Sequence, residues 1–70
     1  MAYRLTGPGK SWAARIPRSK DAESAVGTLL YESGEDSMEI EEISGEIRTS
    51  EDVALKVLNR LIGKGYVEET

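Results

Sequence analysis

The segment Gly7-Pro8-Gly9-Lys10-Ser11 ends like a phosphate-binding loop, in which glycine amides and a lysine cradle phosphates through the pattern G-x-x-x-x-G-K-[ST]. Arg4 stands where the first glycine belongs, Pro8 removes an amide, and 70 residues cannot build the parallel sheet such a loop serves. The segment therefore reads as a turn between two strands. Acid–base and nucleophilic chemistry has little to work with. Histidine and cysteine are absent, and no serine or lysine stands at a spacing that supplies an activating base. No enzyme is expected. The carboxylates around Glu35-Asp36 lack the D-x-[DN]-x-[DN]-G spacing of a calcium loop, and Glu41, Glu42 and Glu46 read as a solvated helix face. Neither a metal nor any other cofactor is expected.

Charge is distributed unevenly. Residues 1–20 carry Arg4, Lys10, Arg15, Arg18 and Lys20 for +5, residues 21–50 sum to −8, and residues 51–70 to −1, within a net charge of −4. An acidic chain is repelled by phosphate at long range, so contact with nucleic acid has to use a local basic face. Lys10, Arg15, Arg18 and Lys20 are the candidates for phosphate contacts. The other reading places this basic segment against the acidic middle of its own or a neighbouring chain. Trp12 is assigned to packing over the long C-terminal helix described next.

Apolar spacing predicts three helices. Ala22, Ala25, Val26, Leu29 and Leu30 recur at i, i+3, i+4, i+7 and i+8, giving a first helix over 20–32 that starts at Ser19 or Asp21 and stops at Ser33-Gly34. Asp36, three residues before Glu39, resembles a capping box. Ile40, Ile43 and Ile47 then mark a short second helix over 40–47, with Met38 as a core plug in the extended segment before it. The third helix, 50–63, opens at Thr49 or Ser50, has Glu51 and Asp52 in its first turn, and closes at Gly63 and Gly65. Steps of about 100° per residue place Val53, Ala54, Leu55, Val57, Leu58, Leu61 and Ile62 on one broad arc, and Asp52, Lys56, Asn59 and Arg60 on the remaining strip. Leu55 and Ile62, at the edge of the arc, are left for the N-terminal segment or for another subunit.

Residues 65–69 read as a short terminal strand, and Tyr3-Arg4-Leu5-Thr6 as a strand that alternates apolar and polar positions. The simplest closed arrangement is an N-terminal hairpin, with Trp12 to Ile16 as its second strand, whose sheet takes in residues 65–69. A flexible basic arm over 7–18 is the alternative. All of this fits one domain over 1–70. Leu, Ile and Val number 15 of 70, a thin core for a charged chain, and a chain below about 80 residues gains only about 3–5 kcal/mol from its core. A homodimer is therefore expected. No apolar run approaches the roughly 18 residues that span a bilayer, and no apolar signal core opens the chain, so a cytoplasmic location and no membrane partner are expected.

The stretch Met38 to Val67 resembles the winged helix-turn-helix domains of bacterial and archaeal transcription regulators, in the broad group of MarR-like and ArsR-like proteins. Glu42-Ile43-Ser44 looks like the start of their second helix, Ile47 the apolar residue before the turn, and Ser50 the cap of the recognition helix. Leu58, Leu61 and Lys64-Gly65-Tyr66-Val67 look like the run from that helix into the wing. With the first helix the likeness covers Lys20 to Val67. It implies an α+β fold with three helices and a small antiparallel sheet built from N-terminal strands and the C-terminal strand. It departs at Arg48, where such turns often carry glycine, implying either a residue at positive φ or a shifted turn. Tyr3-Arg4-Leu5-Thr6 looks like the returning wing strand, displaced to the N-terminus and pairing with residues 66–69.

The resemblance further implies a DNA-binding transcription regulator, with the third helix in the major groove of double-stranded DNA. Lys56, Asn59 and Arg60 would make its contacts, joined by Thr49 and Ser50 at the helix start and by Arg48 in the turn. Glu51 and Asp52 at that same end repel the backbone. The alternative is the same fold used as a protein-interaction module without DNA binding, which the chain's acidity favours. Bases gathered on the side of the third helix support the first reading; bases dispersed over the surface support the second.

Overall fold

The computed structural model describes residues 1–16, 21–34 and 36–70; Arg18, Lys20 and the alternative cap Ser19 lie outside them. Among the described residues the chain is α+β, with four helices and three strands in the order β1 (Ala2–Leu5), α1 (Gly7–Arg15), α2 (Ala22–Glu32), β2 (Met38–Glu39), α3 (Ile40–Glu46), α4 (Glu51–Gly63) and β3 (Val67–Glu69).

The strand period is clearest in β1, where Tyr3 and Leu5 are buried and Arg4 is exposed. β1 lies in the centre of the sheet, in the order β2-β1-β3. It runs antiparallel to both neighbours, with Tyr3 opposite Glu69, Arg4 opposite Glu68 and Leu5 opposite Val67 on one side, and Tyr3 opposite Met38 on the other. The expected pairing of the two chain ends is present. It is extended at one end by Thr70 N–H donating to Ala2 O at 2.9 Å and at the other by Thr6 N–H donating to Tyr66 O at 3.0 Å. The strand predicted from residue 65 begins at Val67, after Gly65 at φ 81°. Met38 is buried as expected, but as part of a strand.

Residues 7–15 overturn both the hairpin and the flexible arm, because they form a helix. The turn chemistry of Thr6-Gly7-Pro8-Gly9 is equally that of a helix start. Thr6 Oγ1 accepts from Gly9 N–H at 3.0 Å as the N-cap, and Pro8 sits in the first turn, where its missing N–H costs nothing. The Trp12 ring stacks on Tyr66 with centroids 4.8 Å apart and an 8° interplanar angle. Its other neighbour is Gly27 of α2, where an added Cβ would lie 2.5 Å from the indole. Trp12 thus ties α1 to α2 and to the turn before β3, and it packs on the core cluster to which α4 contributes Ala54, Val57, Leu58 and Leu61.

The three helices expected from the apolar pattern are α2, α3 and α4. α2 starts at Ala22 and buries Val26, Gly27 and Leu30. α3 ends one residue earlier than expected, with Ile47 as its C-cap. The capping box there is Glu39 with Glu42, not Asp36 with Glu39, because Met38 and Glu39 are held extended in β2 and the helix cannot start before Ile40. Ser50 caps α4, its hydroxyl accepting from Val53 N–H at 3.3 Å. Only Ala54, Val57, Leu58 and Leu61 of its arc are buried. Val53, Leu55 and Ile62 remain 43%, 37% and 36% exposed. Among the described residues no helix is long and apolar enough to cross a membrane.

Burial raises the Tyr3 phenol above its ordinary value of 10.0, and the nearby Glu69 carboxylate adds to the shift. A folded-state pKa above the unfolded one means that the associated stability is complete below about pH 10 and is lost as the pH rises through the folded value. The thermal unfolding temperature of the wild type should therefore fall above about pH 10, and Tyr3→Phe should flatten that decline; equal slopes in the two proteins would show that Tyr3 does not contribute.

Candidate functional site

α4 is held on the body by its buried stripe and packs on α3, α2 and β3. The connection from α3 is short and closed by backbone hydrogen bonds, Thr49 N–H donating to Ser44 O at 3.0 Å and Arg48 N–H to Gly45 O at 3.3 Å. Arg48 is at φ 57°, the first of the two geometries that the sequence left open for it. A left-handed residue here costs about 1–2 kcal/mol, which the surrounding bonds offset.

The open side of α4 brings together several of the residues singled out by sequence. Lys56, Asn59 and Arg60 are exposed on one strip, and Arg48 is exposed in the turn beside its start. Thr49 is half-buried, and the Ser50 hydroxyl is engaged in capping. Glu51 and Asp52 are exposed in the first turn of the same helix. This strip is therefore mixed in charge.

The remaining bases are elsewhere. Lys10 and Arg15 are on α1, which packs on α2 and β1, and the Arg15 guanidinium donates to Ser11 O at 3.2 Å. Lys10 borders an open cleft of about 270 Å3 with Arg4, Glu68 and Gly34. Arg4 is ion-paired with Glu68, as the β1–β3 register dictates, and Lys64 with Glu23 of α2 at 3.0 Å. The described bases are spread over the sheet, α1 and α4. Gly9, the would-be phosphate-loop glycine, packs against the backbone of Tyr66, so its lack of a side chain serves that contact.

A second feature lies at the N-terminal end of α4. Leu55, with Met1, Tyr3 and Ile40, forms an open groove of about 250 Å3, edged by Glu51 and Asp52. Met1 is 66% exposed, Ile40 is half-buried and Tyr3 is buried. The sequence marked Leu55 as unclaimed by the core but could not reveal the groove, because its walls come from three separate parts of the chain. Ile62, marked with Leu55 as a dimer contact, is on the same shoulder of α4, seven residues on, and is also partly exposed.

No family model matches the chain, and comparison with curated proteins and with solved structures gives no match either.

Proposed function

We propose that the protein is a protein-interaction module on a winged-helix-like scaffold, and that it docks a partner over the Leu55 shoulder of α4. Support for the scaffold comes from the order of elements. α2, β2, α3, α4 and β3 follow one another as in a winged helix, and β1 fills the central place of the returning wing strand from the other end of the chain. The observation that carries the function is the groove of Leu55, Met1 and Ile40 with Glu51 and Asp52 at its edge. Exposed apolar side chains beside acids that have no ion-pair partner among the described residues suit a protein surface and oppose a phosphate backbone.

A second reading, a DNA-binding regulator with α4 in the major groove, is favoured by the joint exposure of Lys56, Asn59 and Arg60 with Arg48. Fluorescence anisotropy with duplex DNA at low and moderate salt separates the two. The interaction module is expected to bind weakly at most, with no loss on Lys56→Ala combined with Arg60→Ala. Affinity that falls steeply with salt, and falls again in that double variant, would replace the first reading by the second.

A further inference from the structure

The chemistry of the groove specifies its occupant. With about 250 Å3 it falls below the ~300–1,000 Å3 typical of small-molecule sites, yet it accommodates one or two large side chains. It is lined by the largely apolar side chains of Leu55, Ile40, Tyr3 and Met1 together with the carboxylates of Glu51 and Asp52, and the Met1 ammonium is taken up by Glu39 at 3.4 Å. Neither Glu51 nor Asp52 has an ion-pair partner among the described residues. They stand in the first turn of α4, where acidic side chains complement the helix dipole.

We propose that this groove takes a basic, apolar-anchored segment of another protein, with one bulky aliphatic or aromatic side chain seated against Leu55 and flanking Lys or Arg side chains meeting Glu51 and Asp52. The inference rests on the interaction-module reading and names the chemistry of its partner. Charge complementarity selects this occupant. Nucleic acids and anionic lipid surfaces bring phosphates to two carboxylates. A second copy of the chain seated groove to groove brings the same two carboxylates again. A cationic segment gains from both the apolar lining and the carboxylates. The apolar anchor and the edge charges both contribute to affinity, and the edge charges set the selectivity.

The test uses fluorescent synthetic peptides with a central leucine pair flanked by lysine and arginine, and a matched set flanked by glutamate. The basic peptides are expected to bind saturably to the whole protein, with Leu55→Ala and the double variant Glu51→Gln with Asp52→Asn each weakening binding about tenfold, a change equal to about 1.4 kcal/mol. Circular dichroism melts should show both variants folded. The glutamate peptides are expected not to bind. Equal binding of both peptide sets, or basic-peptide binding indifferent to these variants, overturns the proposed chemistry and leaves the module reading in place. Absence of peptide binding together with salt-sensitive DNA binding that needs Lys56 and Arg60 overturns both. Sedimentation showing a dimer that Leu55→Ala dissociates assigns the groove to a second copy and overturns the basic partner.

Discussion

Gly9→Ala is expected to remove most of the protein's stability at 25 °C. A Cβ on Gly9 would lie 1.8 Å from the Tyr66 carbonyl oxygen, 2.7 Å from its carbon and 3.0 Å from Cα. These are backbone atoms. They are fixed by Thr6 N–H donating to Tyr66 O at 3.0 Å and Tyr66 N–H to Leu61 O at 2.9 Å, so relief requires α1 to leave the sheet. Overpacking against atoms that cannot turn aside costs about 3 kcal/mol, comparable with the whole stability of ~3–5 kcal/mol that a core of this size supplies. Gly7→Ala is the control, since a Cβ there meets nothing within 4 Å, and it should leave the urea midpoint unchanged or slightly higher. If residues 7–15 were a free arm, both substitutions would be silent. The pair therefore reports directly on the docking of α1.

Leu58→Ala should cost about 3 kcal/mol, and Leu55→Ala less than about 1 kcal/mol, although the two leucines are neighbours on one helix. Leu58 has no exposed surface, whereas Leu55 keeps 37% of its own. Truncating Leu58 leaves a cavity where α4 meets the body of the protein; truncating Leu55 widens a groove already open to water. Urea titration of the two variants measures the difference. Equal losses would mean that Leu55 belongs to the core, and it would then be unavailable as a docking anchor. The expected inequality gives Leu55 a position whose apolar character folding does not require, which is the physical basis for assigning it to binding.

The parts of the fold that were legible in the sequence are those with a strong period. Ala22 to Leu30, Ile40 to Ile47 and Val53 to Ile62 each repeat at helical spacing, and each forms a helix, with Val53, Leu55 and Ile62 of the third arc left partly exposed. Alternation over Tyr3 to Leu5 announced a strand, and its pairing with Val67 to Glu69 followed from the need of that terminal strand for a neighbour. α1 was illegible because its stabilising contacts are tertiary: Gly9 against Tyr66, and Trp12 between Tyr66 and Gly27. Its own residues suit a turn as well as a helix start. The capping box moved from Asp36 to Glu39 for a similar reason, since the pairing of Met38 with Tyr3 in the sheet is a long-range contact that no local pattern contains.

The candidate site was legible by composition and illegible by arrangement. Sequence placed Lys56, Asn59 and Arg60 on one exposed strip, and they are exposed. It could not show that Arg4 faces Glu68 across two strands, that Lys64 reaches Glu23 of α2, or that Lys10 and Arg15 ride on a helix packed against α2 and β1. Once those partners are known, the described bases of the N-terminal third belong to the sheet and to α1, apart from the strip on α4. The groove at Leu55 depends on the same kind of information, because Met1, Ile40 and Leu55 meet only through the packing of β1, α3 and α4.

The most direct measurement is residue-by-residue mapping of backbone amide shifts while the labelled protein is titrated, in parallel, with the leucine-anchored basic peptide and with duplex DNA at low salt. The expected result is a peptide-induced cluster at Ile40, Glu51, Asp52 and Leu55 with little response to DNA. A silent groove, together with DNA-induced shifts concentrated at Arg48, Thr49, Lys56, Asn59 and Arg60, would contradict it.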